Sequence, residues 1–161
     1  MSYWLLKSEP SVFSLDDLAR SPKQTVRWDG VRNYQARNFL RDQMHPGDLA
    51  FFYHSSCKLP GIVGIVEIVR SGYPDPTAWD KESPYFDPKS LPARPRWFAV
   101  DVKLVSRFTR TIALSELRCY PELAGMPLLK RGNRLSVLPI DPKQWNFILS
   151  LVPDTSLPTL S

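Results

Sequence analysis

Short apolar segments separated by turns indicate that most of this chain is β-structure. Residues 98–104 alternate between large apolar and small or charged side chains, as expected for a strand with one buried face. Residues 49–55 are apolar or aromatic at most positions, and residues 62–69 are rich in β-branched side chains, which is typical of buried strands. Five strands are therefore predicted, at residues 2–7, 49–55, 62–69, 97–107 and 134–138.

Capping signals and helical spacing predict a few short helices. Ser14 and Asp17 form a pattern close to a capping box at the start of residues 15–20. Asn33 is a predicted N-cap for residues 34–43, where apolar residues recur at helical spacing. The remaining helices are predicted at residues 115–118 and from residue 142 onward.

These elements predict an α+β fold, because the strands outnumber the helices and do not alternate with them regularly. We expect a strongly curved sheet of about five or six strands that curls or closes, since a closed sheet has no exposed edges. A chain of 161 residues suits one domain, which we place at residues 1–152. Residues 71–96 contain many prolines and little periodicity, which is typical of a functional loop. Residues 153–161 are expected to form a loose tail.

The composition argues against several classes of protein. Two cysteines are too few for a disulfide framework, and no apolar run has the length of a membrane span or the form of a signal peptide. His54 and Cys57 lie close in sequence but lack the further ligands of a zinc site, so no metal or other cofactor is expected. The formal net charge of +5 is compatible with a polyanionic partner without requiring one.

Residues 28–33 combine groups that together suit a planar polar ligand. Trp28 offers an aromatic face, and Asp29, Arg32 and Asn33 offer hydrogen-bond donors and acceptors within six residues. Proteins hold an unstacked nucleobase with such a combination. The alternative is that Trp28 belongs to the hydrophobic core, while Asp29 and Arg32 only cap a helix or pair with other charges.

Four segments lie at the ends of predicted elements, where side chains from separate strands can converge. They are K-S-E-P at residues 7–10, W-D-G-V-R-N-Y-Q-A-R-N-F-L at residues 28–40, F-F-Y-H-S at residues 51–55 and R-L-S-V at residues 134–137. With these motifs in this order, residues 2–152 resemble the EVE domain family, especially its thymocyte nuclear protein type. The resemblance implies a fold related to PUA and YTH domains, a curled mixed β-barrel with peripheral helices. It also implies a non-catalytic module that captures a modified base of DNA or RNA.

The resemblance further implies a pocket for that base. Trp28 would supply one aromatic wall, beside polar groups from the ends of the first, central and last strands. The expected pocket residues are Ser8, Glu9, Trp28, Asp29, Val31, Arg32, Asn33, Tyr53, His54, Ser55, Arg134 and Ser136. The identity of the second aromatic wall stays open among Tyr53, Trp79 and Trp97.

Basic residues outside the pocket are candidates for phosphate contacts. Arg37 and Arg41 lie one turn apart on a predicted helix, and they form either a solvated face or contacts to a nucleic-acid backbone. The same two interpretations apply to Lys130 and Arg131. The expected partner is DNA or RNA carrying a modified base, bound by a monomer. If the chain is the stand-alone form that this type takes in bacteria, a cytoplasmic location is expected.

Two other functions are compatible with parts of the sequence. Asp29, His54 and Ser55 are the residue types of a hydrolytic triad, but neighbours on a strand point to opposite faces, so His54 and Ser55 would point apart. The sequence contains neither a nucleophile elbow nor a phosphate-binding glycine loop. A protein-interaction module would instead expose an apolar patch, which only a structure can reveal.

Overall fold

Six strands form one mixed sheet in the computed structural model of this chain, which describes residues 1–153. The strands are β1 (Tyr3–Ser8), β2 (Thr25–Trp28), β3 (Leu49–His54), β4 (Gly61–Pro74), β5 (Phe98–Ala113) and β6 (Val137–Ile140). Their order across the sheet is β2-β5-β4-β3-β1-β6. β1 and β3 run parallel, and the other neighbouring pairs run antiparallel. Within the described residues β2 and β6 each have one partner strand, so the sheet is open. The predicted α+β class and strand number are confirmed.

Short helices flank the sheet, and their predicted caps are confirmed. Ser14 Oγ accepts a hydrogen bond from the Asp17 N–H, and the Asp17 carboxylate accepts one from the Ser14 N–H. Asn33 Oδ1 accepts from the Ala36 N–H at 3.0 Å. None of the described helices has the length and apolar character of a membrane span. The helices are α1 (Leu15–Arg20), α2 (Tyr34–Asn38) with a π-helical turn at Phe39–Gln43, α3 (Leu114–Leu117) and α4 (Pro142–Ser150), and 3-10 turns lie at Pro22–Gln24, Pro76–Trp79, Pro121–Leu123 and Pro127–Leu129.

Strand β2 was not predicted from the sequence, and β6 begins three residues later and ends two residues later than the strand predicted at residues 134–138. β2 has only four residues, too few for alternation to stand out from its surroundings. β4 and β5 are longer than predicted because their pairing continues through several register shifts. Such bulges bend a strand and increase its local twist, which lets two long strands curve together around the core.

Alternation along the strands divides the buried side chains into two clusters on opposite faces of the sheet. The first core contains Trp4, Leu6 and Phe52 and is covered by α1 and α2. The second core contains Leu5 and Tyr53 and is covered by α3 and α4. Because Phe52 and Tyr53 are consecutive in β3, they point to different cores. This division decides which predicted site residues can meet.

The long loop between β4 and β5 has defined contacts. The Asp75 N–H donates to the Trp97 carbonyl at 2.9 Å, which closes the base of the loop. The Trp97 indole N–H donates to Asp87 at 2.6 Å, and its ring stacks on Tyr34 of α2 at a centroid distance of 4.8 Å. The loop is therefore attached to α2, on the face of the sheet that carries the first core. The predicted tail beyond residue 153 lies outside the described residues.

Candidate functional site

A cavity of about 600 Å³ lies where the ends of β1 and β2 meet the segment that leads into α2. Its volume is within the range of ordinary small-molecule pockets, about 300–1,000 Å³. Eight of the residues predicted from the sequence line it. They are Ser8, Glu9, Trp28, Asp29, Val31, Arg32, Asn33 and Ser136. The lining also includes Lys7, Val12, Phe13, Val26, Arg27, Gly30 and Tyr85, which were not among the predicted pocket residues.

Trp28 belongs to the hydrophobic core and also lines the cavity. Its side chain is 8 % exposed, and its ring contacts Phe52 edge-on at a centroid distance of 5.5 Å. In β2 the alternation of Val26 and Trp28 directs both side chains toward the first core. The two interpretations offered by the sequence are therefore compatible, since one ring packs inward while part of it borders the cavity.

Arg32 acts as a clamp on the loop between β4 and β5. Its Nε and Nη2 donate to the Tyr85 carbonyl at 3.0 and 2.7 Å, and Nη2 also donates to the Thr77 hydroxyl. Nη1 donates to the Val31 carbonyl and to Asp75 Oδ2. A guanidinium carries five N–H donors, and all five are used here. Arg32 therefore builds the cavity wall and has no donor left for a ligand.

The carboxylate that receives this clamp is fully buried. Asp75 accepts from Arg32 and the Gly30 N–H on one oxygen, and from the Thr77 N–H and hydroxyl on the other. Burial by itself raises the pKa of Asp75, but the hydrogen bonds from Thr77, Gly30 and Arg32 outweigh it and hold the pKa below its usual range. The charged form of Asp75 thus joins the loop to the Trp28–Gly30 corner.

Tyr85 reaches the cavity because residue 30 is glycine. Gly30 has a φ of +75°, and a β-carbon there would lie 2.7 Å from Cζ of the Tyr85 ring. Only glycine combines this backbone conformation with so close a ring. Of the aromatic residues in the long loop, Tyr85 lines the cavity, whereas Trp79 and Trp97 do not. Tyr85 was not predicted from the sequence, although the glycine in W-D-G is compatible with a close neighbour.

Few polar side chains of the lining are available to a ligand. Ser8 Oγ donates to the Phe13 carbonyl, and Asp29 accepts from Arg27 at 2.9 Å. Within residues 1–153 the Glu9 carboxylate and the Ser136 hydroxyl have no side-chain hydrogen bond. The Lys7 ammonium and the amide nitrogen of Asn33 have none either. A planar polar ligand can therefore be held by these groups beside the aromatic surfaces of Trp28 and Tyr85. No group of His, Cys, Asp and Glu side chains in that part of the chain is arranged to hold a metal ion.

Comparison with known proteins gives the family. A family model described as the EVE domain matches residues 2–151. The chain belongs to the EVE domain family. It is 48 % identical to thymocyte nuclear protein 1 of Mus musculus over 167 aligned residues, which cover 93 % of this chain and 73 % of the mouse protein.

Solved structures of similar chains share this EVE fold. A crystal structure of a protein from Pseudomonas syringae is 51 % identical and has a TM-score of 0.89, with 93 % of this chain and 99 % of the other covered. A crystal structure of human THYN1 protein in complex with 5-methylcytosine containing DNA is 47 % identical and also has a TM-score of 0.89. That match covers 94 % of this chain and 97 % of the human one.

Four of the predicted pocket residues lie elsewhere in this EVE domain, so the expectation that they line the cavity is wrong. Tyr53 is buried in the second core, on the opposite face of the sheet from Trp28. His54 lines a second cavity of about 260 Å³ beside α1 and β5. Ser55 lines neither cavity, and its N–H donates to the Ser8 carbonyl. Arg134 is exposed and also outside the lining.

The same placement separates the residues of the hydrolase alternative. Asp29 lines the first cavity, whereas His54 lines the second, where its Nε2 accepts from the Leu15 N–H at 3.1 Å. A triad needs its base within hydrogen-bond reach of both partners. The EVE domain does not bring Asp29, His54 and Ser55 together.

The two pairs of phosphate candidates differ in their availability. Arg37 donates to the Asn38 side chain and to the Arg96 carbonyl at 2.7 Å. Arg41 makes a two-pronged pair with Asp42, which neutralises its charge. Lys130 and Arg131 are exposed in the loop before β6.

The stability of this EVE domain is expected to depend on the protonation of His54. Burial lowers the pKa of His54, and nearby Asp16 offsets this only in part. Because the pKa of His54 is lower in the folded than in the unfolded protein, neutral His54 favours the folded state. This contribution to the free energy of unfolding is complete above the unfolded pKa of about 6.5, and it is lost as the pH falls from there through the folded pKa. Urea unfolding at a series of pH values should show this loss. His54→Gln, whose amide oxygen can accept from Leu15, should flatten the curve between about pH 7 and about pH 5. An equal flattening by His45→Gln, at an exposed position, would contradict the assignment.

Proposed function

We propose that this EVE domain captures a modified base of DNA, with 5-methylcytosine as the first candidate, and performs no chemistry on it. One observation carries the proposal. A chain that is 47 % identical, with a TM-score of 0.89 over 94 % of this chain, forms a complex with 5-methylcytosine containing DNA. The cavity beside Trp28 and Tyr85 supplies a place of suitable size and chemistry for such a base.

The arrangement of the cavity supports capture rather than catalysis. Its free polar groups include a carboxylate, a hydroxyl, an amide and the Lys7 ammonium, which can recognise the edge of a base by hydrogen bonds, while the aromatic residues contact its face. The separation of Asp29 from His54 and Ser55 removes the catalytic arrangement that the sequence offered. A base extruded from its stack is recognised by such stacking and edge contacts.

The test is a titration with matched oligonucleotides. Fluorescence anisotropy is measured with single-stranded and duplex DNA that contains one 5-methylcytosine, with the same DNA unmodified, and with RNA of the same sequence in both forms. We expect tighter binding of the methylated DNA than of its unmodified match, at every salt concentration. Equal affinity for the two forms of DNA, preference for the modified RNA, or a mass change in the bound oligonucleotide would each overturn the proposal.

A further inference from the structure

A structured turn carrying three positive charges lies next to the cavity. We call residues 130–134 the basic turn. The Asn133 N–H donates to the Lys130 carbonyl, and the Asn133 side chain donates to the Pro127 carbonyl at 2.8 Å and accepts from the Leu135 N–H at 2.9 Å. Gly132, with a φ of +80°, turns the chain between them. The backbone of the turn is thus fixed by its own hydrogen bonds.

The basic turn differs from the two arginines around the cavity in having no acidic partner among the described residues, a property that it shares with Lys7 of the lining. Lys130, Arg131 and Arg134 are exposed and form no salt bridge within residues 1–153. By contrast, Arg27 and Arg32 are paired with Asp29 and Asp75. A cation that is already paired offers little to a phosphate, because binding would require it to exchange one anion for another. Three of the positive charges available to an anion at this end of the sheet therefore lie in the basic turn, outside the cavity, and a fourth, Lys7, lies in the cavity lining.

The position of the turn relative to the cavity is also fixed. Arg134 precedes the lining residue Ser136 by two residues, which places their α-carbons at most about 7 Å apart. The Ser136 carbonyl accepts from the Lys7 N–H of β1 at 2.9 Å, so the end of the turn is tied to the sheet. When the base of a nucleotide enters the cavity, its phosphates stay outside the cavity. They then lie close enough for the side chains of the basic turn to reach them.

We propose that the basic turn binds the phosphodiester backbone that flanks the captured base. This inference rests on the proposed function and adds to it the path of the nucleic-acid strand across the surface of the domain. Lys130, Arg131 and Arg134 supply affinity without reading sequence or modification, because phosphates are the same in every nucleotide. Of the other candidates, Arg41 is paired with Asp42, and Arg37 already uses its Nε and Nη1 within the domain, so each offers less to a phosphate than the basic turn does.

The test compares two triple variants of equal charge. Lys130→Gln, Arg131→Gln and Arg134→Gln are combined in one protein, and Lys58→Gln, Arg118→Gln and Lys143→Gln, at exposed positions outside the cavity, in the control. Anisotropy titrations with methylated and unmodified DNA are run at several salt concentrations. In the basic-turn variant we expect the slope of log affinity against log salt to fall by about 2–3, since each lost phosphate contact contributes about 0.7–0.9. The methylated-to-unmodified ratio, and binding of the free 5-methylcytosine nucleoside, should stay unchanged.

The outcomes of these titrations distinguish a failure of the proposed function from a failure of the phosphate role of the basic turn. Wild-type protein that binds no oligonucleotide, or binds both forms equally, overturns the proposed function and not this inference alone. Wild-type protein that discriminates while the basic-turn variant keeps the wild-type salt slope overturns the inference. An equal fall in slope for the control variant overturns it too, because the effect then comes from net charge. A basic-turn variant that loses discrimination assigns the turn to base reading and likewise refutes the phosphate role.

Discussion

Replacing Arg32 with methionine is expected to lower the free energy of unfolding by about 3 kcal/mol. The variant leaves the Asp75 carboxylate, which is fully buried, without its counter-charge and removes both donors to the Tyr85 carbonyl. Because Tyr85 then loses its attachment beside Gly30, binding of methylated DNA should weaken as well. Urea denaturation gives the first quantity, and anisotropy titration at a temperature where the variant is folded gives the second.

Two matched variants make this prediction specific. Arg27→Met breaks a pair whose side chains are 43 % and 25 % exposed, so its effect on stability should be at most about 1 kcal/mol. Asp75→Asn in the Arg32→Met background removes the uncompensated charge and should restore part of the lost stability. Equal losses from Arg27→Met and Arg32→Met, or no recovery in the double variant, would show that the clamp does not act through the buried carboxylate.

The second large effect is expected from Trp28→Leu, which should weaken binding of a methylated strand by about 1–3 kcal/mol by removing an aromatic contact. Leucine is preferable to alanine at this position. Trp28 is 8 % exposed and packs in the first core, so truncation to alanine would also cost about 3–5 kcal/mol of folding stability. Leucine keeps part of the buried volume, and the measurement is the ratio of affinities for methylated and unmodified DNA.

Phe52→Leu is the control for Trp28→Leu. Phe52 contacts the Trp28 ring edge-on, is fully buried, and does not line the cavity. It should therefore lower stability while leaving the affinity ratio unchanged. If Phe52→Leu and Trp28→Leu changed the ratio by the same amount, the effect of Trp28 would be one of core packing rather than of contact with the base.

Local signals predicted the elements well. The capping box of Ser14 and Asp17 and the N-cap Asn33 are where the sequence placed them, because each depends only on residues within one turn. β2 was missed because its four residues pair with β5, more than seventy positions along the chain. Pairing between segments so far apart in the chain produces no local periodic pattern, so it cannot be predicted from a single sequence.

The candidate site was predicted in part, and its errors have a physical cause. Residues 28–33 line the cavity together because they form one continuous corner. One further segment, Tyr53, His54 and Ser55, was predicted to line the same pocket. Side chains alternate between the two faces of a strand, however, so His54 and Ser55 are expected to point apart. The same alternation directs Tyr53 to the second core, on the other face from Trp28. The pairing of Arg32 with Asp75 spans 43 positions and a loop without periodicity, so neither it nor the placement of Tyr85 was visible beforehand. The role of the lining residues in binding a base remains a prediction.

The open sheet has a consequence for solubility. An unpaired strand edge is a template for another chain, and long flat edges lead to aggregation. Here both outer strands have only four residues. β6 carries Pro139, which has no N–H to donate to a further strand, and β2 carries the exposed, charged Arg27. Within residues 1–153 the two edge strands are thus poor partners for an incoming strand, so this sheet does not need to close into a barrel to resist aggregation.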